Sequence, residues 1–242
     1  MLLLPSSDYR YALRKDDVGT DVAVLQMNIG RLYVDGVYGN KTRRRVRLWQ
    51  ASHLLVPDGI AGLQTQQSII VSRSKAASKK YNLPKGLLKS IASNESGFSL
   101  AAAGRHLNDN GWDIGAFCRS SGPDYPSQDF LLSAYNVAES AEWTANHVVE
   151  ARKALTFPPY RGRYFEEMGE SNVEEFLWKL AILSHNWPVA ARNISRIGTA
   201  MLTTGADDEP QDWIISATGG RLSTPREWCM SYVARATVYV KW

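Results

Sequence analysis

The amino-acid sequence predicts an all-α protein built from two soluble domains. Two stretches, DGVYGNKT at Asp35–Thr42 and DGIAGLQT at Asp58–Thr65, share the pattern D-G-x-x-G-x-x-T, and apolar residues at helical spacing follow each of them. The rest of the chain contains several helix-start patterns and few strand patterns. With 242 residues, of which 44% are hydrophobic and 21% are charged, the chain is long enough for a core in each of two domains.

The first domain, residues 1–74, is predicted to be a small three-helix bundle. One helix begins near Asp21, a second spans Thr42–Ala51, and a short third helix carries Ile69 and Ile70. In each repeat the Asp-Gly pair predicts a tight turn with positive φ, and the second glycine permits another reversal. The threonine is then placed to cap the next helix with its hydroxyl. The doubled pattern therefore marks two equivalent helix entries.

The second domain, residues 75–242, is predicted to be helical throughout. The boundary falls in the small, polar and basic stretch 72–80, which is either a linker or an exposed helical connection. The predicted helices of this domain run from Asn82 to Ser96 before Gly97, through Ser127–Leu155 as one helix or two, from a capping box at Ser171 to Asn186, and onward from a second capping box at Thr224. Short extended pieces are expected around Trp112–Cys118 and Trp213–Ala217.

Positive charge is concentrated in the first domain. Residues 1–74 hold 10 Lys/Arg and 6 Asp/Glu, whereas residues 75–242 hold 18 of each, so the whole net charge of +4 lies in the first domain. This favours an anionic surface as a partner of this domain, with a solvated basic helix face as the alternative. No nucleic-acid-binding motif, metal-ligand spacing or membrane-spanning stretch is recognisable, so neither nucleic acid, metal, cofactor nor stable membrane insertion is expected. The two cysteines are expected to be separate thiols in a reducing cytosol.

The two repeats lie within a longer pattern. GxDVxxLQ at Gly19–Gln26 is followed by DGxxGxxTxxxVxxWQ at Asp35–Gln50 and by DGIxGxxT at Asp58–Thr65. This order resembles the peptidoglycan-binding domain at the ends of many wall-degrading enzymes, and the resemblance covers about 60 residues. It implies cell-wall glycan as partner and the following wall-binding residues: Asp35, Tyr38, Gly39, Thr42, Asp58 and Gly62. The alternative is a purely structural bundle.

One glutamate in the second domain stands out. Leu88, Ile91 and Glu95 are spaced to share one face of a helix, and Glu95 is the second-last residue before Gly97. Burial of a carboxyl raises its pKa, and a protonated glutamate near neutral pH is what cleavage of a glycosidic bond requires. The alternative is a glutamate at a frayed helix end that points into water.

The residues around Glu95 resemble those of the lysozyme-like superfamily of lytic transglycosylases and goose-type lysozymes. Glu95-Ser96-Gly97-Phe98 is followed by DIGAF at Asp113–Phe117 and by HNWP at His185–Pro188. The resemblance implies that Glu95 is the general acid, that Ser96 positions it, and that Asn186 binds substituents of the sugar near the cleaved bond. It also implies that the segment containing Asp113 forms the floor of a saccharide groove.

Further groove residues are expected from residue chemistry. Phe117, Tyr135 and Trp187 are candidate sugar-stacking rings, although helical proteins also bury such rings in their cores. His185 is a further candidate contact, with a structural histidine as the alternative. The family's glutamine after the DIGAF block is Cys118 here, which puts one amide contact to substrate in doubt. No GxSxG motif is present, and a papain-type site would require Cys118 to pair with a histidine.

The whole chain resembles a modular phage endolysin, which acts as a monomer on peptidoglycan. Its expected activity is cleavage of the β-1,4 bond between N-acetylmuramic acid and N-acetylglucosamine, either by hydrolysis or by formation of a 1,6-anhydro product. A protein without a signal peptide is expected in the host cytoplasm, with release through a membrane lesion made by another phage protein. The alternative is a non-catalytic wall-binding or phage structural protein with a lysozyme-like domain.

Overall fold

The computed structural model describes residues 12–105, 111–156, 170–186 and 225–242. Within these ranges the chain is mainly helical, which confirms the predicted fold class. The helices are α1 (Thr20–Ile29), α2 (Asn40–Ser52), α3 (Leu63–Lys80), α4 (Leu87–Ser96), α5 (Gln128–Tyr135), α6 (Val137–Thr156), α7 (Glu170–Asn186) and α8 (Pro225–Ala236). None of the described helices is long and apolar enough to cross a lipid bilayer.

One small antiparallel sheet follows α4. Its strands are β1 (Ala103–Arg105), β2 (Trp112–Ile114) and β3 (Arg119–Ser121), in the order β1-β2-β3. In the register, Asp113 of the central strand lies opposite Ser120 of β3. The extended piece expected around Trp112–Cys118 is therefore a three-residue strand followed by a turn, and the other expected piece, Trp213–Ala217, lies outside the described residues.

The bundle packs its apolar residues inward at helical spacing. Leu25, Ile29, Val46, Ile69 and Ile70 of the three bundle helices have no exposed surface. Such burial contributes about 1.5–3 kcal/mol for each side chain of this size. The segment before α1 joins the bundle through backbone hydrogen bonds between buried Leu13 and Ala61, which gives part of the otherwise unexplained N-terminal segment a structural role.

The third bundle helix is longer than predicted. It continues without interruption from Leu63 to Lys80, so the stretch 72–80 is a helical connection and not a linker. Ser74 and Ala77 of this stretch are buried, which explains why small residues occur there. The chain forms two compact units whose boundaries do not fall at residue 74. One unit consists of Met1–Asn82 with Ile91–Trp143, and the other consists of Leu83–Ser90 with Thr144–Trp242.

Two buried side-chain amides hold the first compact unit together. Asn28 on α1 donates to the carbonyl oxygen of Tyr135 at 2.8 Å and accepts from the amide of Val137 at 2.8 Å. Gln66 on α3 accepts from the amide of Leu100 at 3.1 Å. Buried backbone groups need such partners because leaving one unsatisfied costs about 1–3 kcal/mol. The bundle and the segment around the candidate site therefore share one core.

The boundaries of several other helices differ from the prediction. The helix carrying Glu95 begins at Leu87 and not at Asn82, because the chain first makes a turn in which Leu87 N donates to Pro84 O. It ends at Ser96, as predicted. The stretch Ser127–Leu155 holds two helices, separated at Asn136, and the Ser127 hydroxyl caps the first of them.

The remaining helices begin close to their predicted starts. The α7 helix begins at Glu170, two residues before the start that a Ser171 cap would give, and α8 begins at Pro225, as the second capping box predicts. Within the second compact unit, the amide of Tyr239 donates to the Ser90 hydroxyl at 2.8 Å. This bond ties the segment that follows α8 to the first turns of α4.

Candidate functional site

Glu95 lies at the C-terminal end of α4, where the helix leaves the core. Leu88 and Ile91, which share its face, are buried, whereas Glu95 itself is only partly buried. Its carboxylate accepts a hydrogen bond from the side-chain amide of Asn94 at 3.1 Å. The predicted position at the end of an apolar stripe is therefore correct, and the carboxylate stands at the edge of the core.

Ser96 attaches this end of α4 to the turn between β2 and β3. Its hydroxyl lies 2.8 Å from the carbonyl oxygen of Ala116 and 3.0 Å from that of Ala92. The serine predicted to position Glu95 thus holds the backbone on which Glu95 stands. Gly115 fixes the position of this turn. It has a φ of 82°, and it lies so close to α5 that a Cβ would come 2.2 Å from the carbonyl oxygen of Ala134.

Cys118 closes the turn and packs against the end of α4. Its thiol lies 3.1 Å from the backbone oxygen of Glu95, to which it can donate a weak hydrogen bond. Burial, together with the negative charges of Glu95 and Asp113, raises the pKa of the Cys118 thiol far above its ordinary value. Asp113 accepts a hydrogen bond from the Ser120 hydroxyl at 2.7 Å. The turn thus places Cys118 against the helix end that carries Glu95, while Asp113 is paired with Ser120 of the neighbouring strand.

Two of the predicted sugar-stacking rings are core residues. Phe117 and Tyr135 both have 0% of their surface exposed, so neither presents a ring face to a ligand. Phe117 lies within the turn between β2 and β3, and Tyr135 ends α5 where its carbonyl oxygen accepts from Asn28. Both rings therefore fill the core of the first compact unit, and we withdraw them as sugar platforms. Trp187 lies outside the described residues.

His185 and Asn186 end α7, in the second compact unit. Asn186 is exposed and His185 is partly buried. The His185 ring packs edge-on against His147 of α6, with 5.5 Å between ring centroids. Burial lowers the pKa of His147, so its ring is disposed to be neutral. The predicted roles of His185 and Asn186 in substrate binding stay predictions.

The first repeat is organised by a glutamine that sequence reasoning assigned no role. The Nε2 of Gln26 donates to the Asp35 carboxylate at 2.8 Å, to the carbonyl oxygen of Val37 at 3.0 Å and to the Thr42 hydroxyl at 3.0 Å. Its Oε1 accepts from the amides of Asp35 and Gly36 at 3.1 and 2.9 Å. One buried amide therefore holds the whole turn.

Gln50 repeats this arrangement at the second motif. Its Nε2 donates to the Asp58 carboxylate at 2.8 Å, to the carbonyl oxygen of Ile60 at 2.9 Å and to the Thr65 hydroxyl at 3.1 Å, and its Oε1 accepts from the amide of Gly59 at 2.9 Å. The glutamine that precedes each D-G-x-x-G-x-x-T pattern was visible in the sequence. The one sequence signal for its hydrogen bond to the aspartate is the spacing between them, which is nine residues in the first repeat and eight in the second.

The repeats differ from their prediction in how the helices begin. The Asp-Gly pairs do take positive φ, with 71° at Gly36 and 78° at Gly59. The second glycines, Gly39 and Gly62, are the extended N-caps of α2 and α3, and no side chain caps either helix. The predicted threonine cap is wrong because the buried hydroxyl of Thr42 is used by Gln26.

Several residues predicted to bind the wall are structural. Tyr38 is fully buried and its hydroxyl donates to the carbonyl oxygen of Gly59 at 3.0 Å, while Thr42 lies in the Gln26 network. Asp35 and Asp58 are exposed and keep part of their carboxylates at the surface. Of the predicted wall-binding residues, these two aspartates are therefore the ones whose side chains are exposed, and Asp35 is the one that lines a groove.

Two arginines close the C-terminal end of α1. Arg45 donates to the carbonyl oxygens of Gly30 and Ile29, each at 3.0 Å, and Arg73 donates to that of Asn28 at 2.7 Å. These bonds satisfy carbonyls that a helix end leaves unpaired and place positive charge at the negative end of the helix dipole.

Arg31 follows this helix end, and together with Arg45 and Arg73 it forms what we call the arginine cluster. Burial, and then the charges of Arg31 and Arg73, lower the pKa of Arg45. None of the salt bridges in the described part of the chain involves this cluster. Part of the positive charge predicted for the surface of the first domain is thus used to pair the backbone carbonyl groups at the end of α1.

Over the described ranges, no group of three or more histidine, cysteine or acidic side chains is arranged to hold a metal ion. Cys118 is a free thiol.

Residues 18–69 match the family described as "Putative peptidoglycan binding domain". This peptidoglycan-binding region contains α1, α2, both glutamine networks and the first part of α3. A solved structure, the crystal structure of Burkholderia AP3 phage endolysin, aligns with 74% of this chain and 100% of its own length, at 18% identity and a TM-score of 0.25. Because both values are low, that similarity carries no argument here. No curated protein matches the chain.

Proposed function

We propose that this chain is a bacteriolytic endolysin that cleaves the β-1,4 bond between N-acetylmuramic acid and N-acetylglucosamine of peptidoglycan. The observation that carries the proposal is the position of Glu95. Its carboxylate stands at a helix end, beside the turn that holds Cys118, within the same compact unit as the peptidoglycan-binding region. A wall ligand and an acid group are therefore expected to meet on one compact unit.

In this mechanism Glu95 donates its proton to the oxygen of the leaving sugar. Glu95 is partly buried at the C-terminal end of α4, where its carboxyl group can be presented to a bound glycan. Ser96 keeps the helix end against the turn through its bond to Ala116. Retention on the wall by the peptidoglycan-binding region raises the concentration of glycan near Glu95 without further contacts to the bond that is cleaved.

Two routes can complete the cleavage after Glu95 has protonated the leaving sugar, and they differ in whether Asp113 takes part. If Asp113 activates a water on the opposite face of the sugar, the product has a reducing end, and the two carboxyl groups belong to an inverting pair. If Glu95 works alone, the C6 hydroxyl of muramic acid attacks C1 and the product is a 1,6-anhydro sugar. The Asp113→Asn variant distinguishes the two routes because only the first route needs its carboxylate.

The deciding experiment is mass spectrometry of fragments released from purified sacculi. Anhydro or reducing muramic acid ends support the proposal, whereas cut stem peptides with intact glycan would refute it. The Glu95→Gln variant keeps the size of the side chain and loses the proton, so release should fall by roughly 10²-fold or more. A fall of less than severalfold, in a Glu95→Gln chain that melts at the same temperature as the natural chain, would remove Glu95 from the mechanism.

A non-catalytic wall-binding protein is the competing function. The observation in its favour is that Cys118 stands where the lysozyme-like pattern has a glutamine. Such a protein would sediment with sacculi without releasing fragments.

We further propose that the chain is made in the host cytoplasm, acts as a monomer, and reaches the wall after membrane permeabilisation. The arginine cluster supports an additional attraction to anionic envelope polymers, which should weaken as salt increases.

A further inference from the structure

The two repeats differ in what covers the glycine of their Asp-Gly pair. At the second repeat, a Cβ on Gly59 would come 2.8 Å from Cγ of Arg43 and 3.1 Å from Cγ of Arg47, so the two arginine stems lie across the turn. Arg43 and Arg47 precede the network glutamine, Gln50, by seven and three residues. The residues at the same distances before Gln26 are glycine and alanine.

Those residues, Gly19 and Ala23, leave the first repeat uncovered. The atoms nearest to a Cβ on Gly36 would be the carbonyl of Gly19, at 3.1 Å for its oxygen, and the methyl group of Ala23 at 3.9 Å. A groove of about 640 Å³ opens there. This volume lies within the range of about 300–1,000 Å³ that is typical of small-ligand sites. The chain thus carries one filled and one open version of the same turn.

The groove is mostly apolar and carries one fixed charge. Val18, Val34, Val37 and Leu132 line it together with Asp35. Asp35 Oδ1 accepts from Gln26 at 2.8 Å and from the amide of Val37 at 2.9 Å, and these bonds lower the pKa of Asp35. An acid whose pKa is lowered is ionised at neutral pH, so a carboxylate stands permanently beside an apolar wall.

One wall of the groove lies outside the peptidoglycan-binding region. Gln128 and Leu132 belong to α5, and all lining residues belong to the first compact unit. Because Asn28 fixes α5 through the carbonyl of Tyr135, this wall is held against the bundle by a buried hydrogen bond. The groove is therefore a feature of the whole unit and not of the bundle alone.

These features favour a peptide over a sugar chain. Peptidoglycan offers two ligands, an uncharged glycan whose rings stack on aromatic side chains, and stem peptides with alanine methyl groups and a diamino acid. None of the residues that line the groove is aromatic. Methyl groups suit the valine and leucine walls, and a free ammonium group suits Asp35.

We propose that this groove binds the stem peptide of peptidoglycan, with Asp35 pairing with the free amine of its diamino acid. The proposal rests on the proposed function, since it names the part of peptidoglycan that the binding region recognises. It predicts that the second repeat, covered by Arg43 and Arg47, contributes scaffold only.

The test compares two kinds of purified sacculi, intact ones and ones whose stems have been removed by an N-acetylmuramoyl-L-alanine amidase. The full chain carrying Glu95→Gln is used so that the wall is not digested during sedimentation. Binding to intact sacculi should be at least tenfold tighter than to stripped sacculi. Equal binding to both would overturn the stem-peptide proposal and leave wall binding intact. Binding to neither would refute the proposed function itself.

The matched variants are Asp35→Asn and Asp58→Asn in the same background. Each keeps an oxygen that accepts from its glutamine and from the amide two residues later, and each removes one charge. Asp35→Asn should weaken binding to intact sacculi by roughly fivefold or more, about 1 kcal/mol, while Asp58→Asn leaves it unchanged. Equal weakening by both variants would overturn the assignment of the ligand to the first repeat.

A second variant keeps the test valid if Asp35→Asn fails to fold. Leu132 is 49% exposed and lies outside the glutamine network, so Leu132→Lys leaves the turn intact while placing a competing ammonium beside Asp35. We expect it to lower binding to intact sacculi at least fivefold without a change in melting temperature. Unchanged binding would show that the groove is not used.

Discussion

At the scale of single residues, the two network glutamines are the most demanding positions of the bundle. Each uses its whole side-chain amide on groups of a single turn, and both are almost fully buried. Replacing either one removes several hydrogen bonds at once and leaves buried backbone amides without partners.

We therefore expect Gln26→Ala and Gln50→Ala each to lower the free energy of unfolding by about 2–4 kcal/mol. Chemical denaturation measures this loss. The control is Gln64→Ala on the exposed side of α3, which should change stability by less than about 0.5 kcal/mol. If Gln26→Ala and Gln50→Ala each lower the free energy of unfolding by less than about 1 kcal/mol, water replaces the hydrogen bonds of the glutamine amide and the prediction is wrong.

The thiol of Cys118 gives a pH dependence whose sign follows from its environment. Its pKa in the folded chain lies above the ordinary value of 9.0 because of burial and of the charges of Glu95 and Asp113. Above pH 9 the unfolded chain loses this proton while the folded chain keeps it, so stability declines as pH rises. Below pH 9 the thiol is protonated in both the folded and the unfolded chain, so it causes no loss of stability there.

Denaturation at pH 7 and at pH 10 should accordingly show a steeper loss for the natural chain than for Cys118→Ser. A serine hydroxyl does not ionise in this range, so the difference between the two chains isolates the thiol. The buried Tyr38 and Tyr135 hydroxyls, whose pKa values are also raised by burial, act equally in both chains. Parallel pH curves would show that the thiol is accessible to water.

At the scale of elements, the turn between β2 and β3 depends on its contact with α5. Gly115 combines a φ of 82° with a Cβ position 2.2 Å from the carbonyl oxygen of Ala134, so no side chain fits without moving the turn. The same turn carries the carbonyl that accepts from Ser96. A shift of the turn would therefore also move the end of α4 and Glu95.

Gly115→Ala should destabilise the chain by more than about 2 kcal/mol and reduce fragment release from sacculi. Gly104→Ala on β1 is the matched control, because a Cβ there meets no atom within 4 Å. Normal activity of a folded Gly115→Ala chain would show that Glu95 does not depend on this turn.

At the scale of the whole molecule, the predicted boundary at residue 74 cuts through a single core. Asn28 and Gln66 bind backbone groups of residues 100, 135 and 137, so the bundle completes the hydrogen bonds of the segment that carries Glu95. Residues 75–242 expressed alone should lack a cooperative melting transition.

This truncated chain should lose both retention on sacculi and cleavage of soluble glycan. A milder test of the same contact is Asn28→Ala in the full chain. This variant should lower the melting temperature because two buried backbone groups lose their hydrogen-bond partners. A truncated chain that melts cooperatively and still cleaves soluble glycan would show that two autonomous domains exist after all.

Local patterns in the sequence were sufficient for the helical class, the two turn-to-helix repeats and the position of Glu95 at a helix end. Periodicity, caps and Asp-Gly turns act within a few turns of chain, so they can be read without knowing the partners. The same patterns left 72–80 open as a linker or a helical connection, and burial of Ser74 and Ala77 in the fold selects the helix.

By itself, the sequence determined that this protein is mainly helical and that residues 18–69 carry a peptidoglycan-binding pattern. Only the tertiary structure decided that Phe117 and Tyr135 are core residues, that the Cys118 thiol contacts the backbone of Glu95, and that α5 walls a groove at the first repeat. The reason is distance along the chain. Asn28 and Tyr135 are 107 residues apart, and no local pattern encodes a hydrogen bond that forms only when the whole unit folds.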